Sequence, residues 1–73
     1  MALIEVTWQD IIQDSTWSSH DSVACPLVRS VGWVAYEDKK VIKIGATMSQ
    51  DGEVSAILAI PKGCVISCRT IDS

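Results

Sequence analysis

The fold turns on one stretch of sequence. It runs Leu27-Val28-Arg29-Ser30-Val31-Gly32-Trp33-Val34-Ala35-Tyr36, then Glu37-Asp38-Lys39-Lys40, then Val41-Ile42-Lys43-Ile44-Gly45-Ala46-Thr47-Met48. The first part is apolar on both parities, with Arg29, Ser30 and Gly32 as exceptions. That pattern predicts a strand lying centrally in a sheet, or one with its second face against a partner. In the last part Ile42, Ile44, Ala46 and Met48 alternate against Val41, Lys43, Gly45 and Thr47, the period of a half-buried strand. The four charged residues between them predict a short hairpin turn, with Glu37 and Asp38 solvated at its tip. The two strands are therefore antiparallel neighbours.

The pattern extends in both directions. Towards the C-terminus, Ser49-Gln50-Asp51-Gly52 is a second turn, with Asp-Gly as its strongest local signal. Val54, Ala56, Leu58 and Ile60 then alternate, and Ile57 and Ala59 leave the other face unusually apolar. Pro61-Lys62-Gly63 interrupts the ladder as a tight turn or one 3₁₀ turn, and the last strand runs from Cys64 to Ile71. Towards the N-terminus, Ile4, Val6 and Trp8 sit at period two opposite Glu5 and Thr7, a half-buried first strand. Cys25-Pro26 opens the second strand, because proline is tolerated at a strand start and not in its middle. Between them, Asp10 to Asp14 can form a helical turn. Ser15 to Ser22 is a polar run around Trp17, and a loop of that length is functional or mobile.

Five short strands in 73 residues predict a single all-β domain over residues 1–73. The expected form is a small, strongly bent antiparallel barrel, since an open sheet leaves two long edges. Strand five is expected to turn the corner at Pro61-Lys62-Gly63 and pair with strand one. Gly32 and Gly45 fall inside strands, where a bulge or sharp bend that curls the sheet is the leading reading. A core this small is marginal alone, so a homo-oligomer is expected, a dimer or small ring using strands two and four.

Composition bounds the function. Six Lys and Arg against nine Asp and Glu give a net charge of −3, which disfavours a general nucleic-acid coat. No apolar run approaches the roughly 18 residues that cross a bilayer, and Met1 to Glu5 has no basic leader. The reading is cytoplasmic, without membrane contact. Three cysteines suit reduced thiols, and Cys64 and Cys68 on one strand lie too far apart to bridge. A single His beside them provides no zinc set, so no metal and no cofactor are expected. Ser19-His20-Asp21 has the residue types of a hydrolytic triad, but adjacency is the wrong geometry, and no enzyme is predicted.

The aromatic and cationic residues remain. Trp8 continues the apolar parity of strand one and reads as core. Trp33 reads as core or oligomer interface ahead of a ligand stack. Trp17 projects from a polar loop, either as a recognition group or as a lid. Arg29 has apolar strand neighbours, so a partner is expected, either a carboxylate or a ligand phosphate.

Several of these segments carry a resemblance that covers nearly the whole chain. Val6-Thr7-Trp8, the loop Trp17, Ser30-Val31-Gly32-Trp33-Val34, Ile44-Gly45-Ala46-Thr47 and Ile60-Pro61-Lys62-Gly63-Cys64-Val65 together resemble a family of small uncharacterised phage and prophage proteins. The strand order and the turn before the last strand also resemble the Sm-like small barrel. The first likeness implies a phage accessory protein made inside a bacterium, of a kind that antagonises host defence. The second implies a ring, although an RNA-binding ring wants a basic lining and this chain is acidic.

The expected function follows in three forms. First comes a non-enzymatic phage protein that binds and sequesters a small nucleotide-type signal. Trp17 or Trp33 would stack on it, Arg29, Lys62 or Arg69 would hold phosphate, and the loop with Ser18, Ser19 and His20 would meet the ribose. Second comes a protein–protein inhibitor or scaffold whose acidic surface docks a host protein. An Sm-like RNA binder is third.

Overall fold

A computed structural model describes residues 1–10 and 25–72, and the side chain of Asp72 is outside that description. Five strands form one antiparallel sheet: β1 (Leu3–Gln9), β2 (Leu27–Glu37), β3 (Val41–Met48), β4 (Val54–Pro61) and β5 (Val65–Asp72). Their spatial order is β4-β3-β2-β1-β5. The all-β expectation holds, β2 is the central strand, and β5 pairs with β1 as expected. A single 3₁₀ turn, Lys62–Cys64, occupies the anticipated break. The expected helical turn and the polar loop fall in residues 11–24, outside the described part.

The sheet is curled, and connectivity requires it. β4 and β5 are opposite edges, so a flat sheet would separate them by four strand spacings, about 19 Å. Pro61 and Val65 are joined by only three residues, a reach of at most about 14 Å. The two edges therefore approach one another at this corner. They do not pair, and this corrects the expectation of a closed barrel. The joining turn is a corner and not a hairpin, so β4 and β5 meet at one point without aligning as a ladder.

Two glycines make the bend. Gly32 and Gly45 are both buried. A Cβ on Gly32 would lie 2.8 Å from the carbonyl oxygen of Gly45, and one on Gly45 would run into Val54 and sit 2.9 Å from the Ser55 carbonyl oxygen. Backbone from neighbouring strands occupies the space a side chain needs, as anticipated for a sharply bent sheet. β4 contributes an irregularity of its own. Ala56 adopts φ 57°, between the pairs Gly45↔Ile57 and Thr47↔Ser55.

The concave face holds the core, Ile4, Val6, Ile42, Ile44 and Ile60, with Ala2, Trp8, Val34 and Val65 packed around it. Trp8 is thus core, and its indole N–H donates to Ser30 Oγ at 3.0 Å. That bond accounts for a serine on the inner side of an apolar strand, since a partly buried indole N–H needs an acceptor. β4 departs from its sequence pattern: only Ile60 is buried. An edge strand has a neighbour on one side only, so its remaining apolar residues stay open. β5 is bulged against β1 on either side of the run from Ser67 to Thr70, which leaves Ile66 and Ile71 unpaired and exposed.

Candidate functional site

The outer face of β1, β2 and β5 gathers three of the residues marked out by sequence. On β2 the odd positions point away from the core: Leu27 is 63% and Val31 49% exposed, and Arg29 between them is exposed too. The register sets three cross-strand rows. Arg29 is opposite Thr7, which is opposite Ser67. One row along, Val31 is opposite Glu5, which is opposite Arg69. Beyond that, Trp33 is opposite Leu3 and Gly45, half-buried and outside the core cluster.

The two arginines on this face differ in charge balance. Arg69 Nε donates to Glu5 Oε1 at 3.1 Å, a cross-strand ion pair. Of the two partners expected for Arg29, a carboxylate or a ligand phosphate, no carboxylate pairs with it among the described residues. Arg29 and Arg69 are two strands and one row apart, about 12 Å between Cα atoms, so both side chains can reach one phosphate-sized group. Hydroxyls of Thr7 and Ser67 lie in the Arg29 row.

The remaining candidates separate. Trp17, Ser18, Ser19 and His20 lie outside the described residues. Their segment leaves β1 at Gln9 and Asp10 and rejoins at Cys25 and Pro26, where Asp10 N–H donates to the Pro26 carbonyl at 3.0 Å. Gln9 is opposite Leu27, the row next to Arg29, so the segment is rooted beside this face. Lys62 is elsewhere. It stands on the 3₁₀ corner and pairs with Glu37 Oε2 at 2.7 Å. The three alternatives for phosphate therefore stand in two places, Arg29 and Arg69 on this face and Lys62 at the corner.

Lys62 belongs to a group that sequence reasoning passed over. Its backbone N–H donates to the Lys40 carbonyl at 2.8 Å, which binds the corner to the β2–β3 turn. Lys39, Lys40, Lys43 and Lys62 thus gather at one end of the molecule. Lys43 Nζ lies 5.2 Å over the Tyr36 ring. The two acids there are engaged internally. Asp38 Oδ1 accepts the Lys40 and Val41 N–H groups at 2.7 and 2.9 Å, and Oδ2 accepts the Tyr36 hydroxyl at 2.9 Å. Those backbone N–H groups, followed by the tyrosine, hold the Asp38 carboxyl below the usual carboxylate range. The same hydroxyl bond and the adjacent charge raise the Tyr36 phenol above its ordinary value. The tip is solvated, as expected, and its two carboxylates are engaged within the turn and the corner. The only sequence signal was the Lys39-Lys40 pair, masked by its acidic neighbours.

Among the described residues no cluster of His, Cys, Asp and Glu is arranged to hold a metal, and Cys25, Cys64 and Cys68 are free thiols. No described helix is long and apolar enough to cross a membrane. No known protein family, curated protein or solved structure matches this chain.

Proposed function

We propose that this chain is a non-enzymatic phage accessory protein that binds a small nucleotide-type signal and withholds it from a bacterial host's defences, acting in the host cytoplasm. One observation carries the reading: Arg29 is exposed in a row with two hydroxyl residues and has no carboxylate partner among the described residues. A guanidinium left open on a sheet face matches a phosphate group in charge and fork geometry. Trp33 provides aromatic surface on the same side. Arg69 is the exposed partner of its pair and joins when a ligand phosphate draws it from Glu5.

The experiment is native mass spectrometry of protein purified from bacteria, before and after denaturation. A discrete small-molecule mass lost on denaturation, and absent from Arg29→Gln, supports the reading. A ligand retained by Arg29→Gln refutes its assignment to this face.

The second reading, a protein–protein inhibitor, draws on the same face. Leu27 and Val31 flank Arg29 with exposed apolar surface in a protein of net charge −3. Under it, a host protein replaces the small ligand, and Leu27→Ser lowers affinity as much as Arg29→Gln. For the homo-oligomer, β2 pairs with β3 only from Trp33 to Glu37, and we assign self-association to β4, an edge strand whose exposed Ile57 and Leu58 project from opposite faces without charged neighbours.

A further inference from the structure

The curled sheet leaves an open mouth where its two edges approach at the 3₁₀ corner. A cavity of about 200 Å³ lies there, lined by Val6, Ile42, Val65, Cys68, Glu37 and Lys62. Its floor is core: Val6 is fully buried and Ile42 nearly so. Its rim is ionic, crossed by the Lys62–Glu37 pair. An apolar cavity of about 150 Å³ is enough to hold benzene, so this one accommodates an aromatic ring with room to spare. Ligand sites are concave and mostly apolar, with a few polar groups fixing orientation.

The charge around the mouth decides what enters. Lys62 lines the mouth, in a protein whose net charge is −3. Asp38 is held by the turn and by Tyr36, and Glu37 by Lys62. Both partners of the Lys62–Glu37 pair are more than a third exposed, so the pair contributes little and an anion can take Lys62 from Glu37.

We propose that this mouth is a second binding site, separate from the Arg29 face, for a compact aromatic anion: the ring lies against Val65 and Cys68 above the buried Val6 and Ile42, and the phosphate or carboxylate meets Lys62 at the rim.

The test is amide chemical-shift mapping of the whole chain with phenyl phosphate as the probe, beside inorganic phosphate and benzyl alcohol. Phenyl phosphate is expected to shift Ile42, Lys62, Val65 and Cys68, and to bind at least about tenfold more tightly than either fragment, because ring and charge act together. Lys62→Gln should weaken it about tenfold by removing a charge-assisted bond. Glu37→Gln should tighten it by releasing Lys62. Cys68→Phe fills the cavity from an exposed position and should abolish binding, and Arg29→Gln should leave it unchanged. The proposal is overturned if the lining residues do not shift, if inorganic phosphate binds equally well, or if Lys62→Gln has no effect. Should Cys68→Phe fail to fold, Lys62→Gln, a change at a half-exposed corner, still decides the matter.

Discussion

The two faces of this sheet are built from similar residues and end in opposite states. On the concave face Ile4, Val6, Ile42, Ile44 and Ile60 are buried. On the outer face and along the β4 edge, Leu27, Val31, Ile57 and Leu58 are exposed. Hydrophobicity alone does not separate the two sets. Curvature does, because a curled sheet brings the inner side chains of non-adjacent strands together and spreads the outer ones apart. The apolar and charged residues outside therefore contribute little to folding.

The strongest way to break the contrast is to remove the curl. Gly45→Ala places a methyl group against Val54 and the Ser55 carbonyl. Backbone cannot yield as a flexible side chain would, so a loss of about 3 kcal/mol is expected from urea unfolding, near the upper end for overpacking. A domain of this size has only about 4 to 11 kcal/mol in total. Gly63, with open space at its Cβ position, is the control: Gly63→Ala should leave stability nearly unchanged.

Next in size is a paired truncation within β4. Ile60→Ala opens the core and should cost about 3 kcal/mol. Ile57→Ala, three residues away and 48% exposed, should cost less than about 0.5 kcal/mol in dilute protein. If β4 is the association edge, Ile57→Ala instead lowers the oligomer mass at high concentration in sedimentation. Equal losses for the two substitutions at low concentration would show that the faces do not differ as described.

A smaller effect sharpens the outer face itself. Arg29→Gln should leave the melting temperature unchanged while reducing retention of the co-purified nucleotide-type ligand about tenfold, the loss of one charge-assisted contact. Arg69→Gln should show a weaker version of the same split, because Arg69 starts out paired with Glu5.

The smallest effect belongs to the β2–β3 turn. Asp38 has its carboxyl depressed by the turn N–H groups, so its stabilising contribution is present above the ordinary carboxylate pKa and is lost as pH falls through the lower folded value. Melting curves of the native protein should therefore fall more steeply on acidification than those of Asp38→Asn. Tyr36 behaves in the opposite sense. Its raised pKa makes the hydroxyl contribution complete below the ordinary phenol pKa and lost as pH rises through the folded one.

Much of the fold was legible because strand signals are local. Alternation at Ile4-Val6-Trp8 and Ile42-Ile44, the Asp51-Gly52 turn with Gly52 at φ 83°, and the proline-led 3₁₀ corner each follow from a few consecutive residues. Pairing of β5 with β1 was legible from the break before it. The candidate site was legible only in part. Arg29, Trp33 and Arg69 do share a face, because their strands adjoin in a predictable order. Lys62, the third alternative for phosphate, stands apart from them, and nothing local indicates which side of a corner faces which turn. The lysine group with Tyr36 was not legible, because it depends on the contact between the 3₁₀ corner and the β2–β3 turn, which joins residues distant in sequence.

By itself the sequence determined the strand count, the turn positions and the need for glycine at 32 and 45, since each depends on side-chain size, period and backbone freedom over short spans. Only the tertiary structure decided that the barrel stays open between β4 and β5 and that the β4 alternation ends in exposure. It alone left Arg29 without a carboxylate partner among the described residues while Lys62 took Glu37. Those outcomes depend on where a curled sheet brings distant residues together, and that distance is set by curvature, which no short stretch of chain encodes.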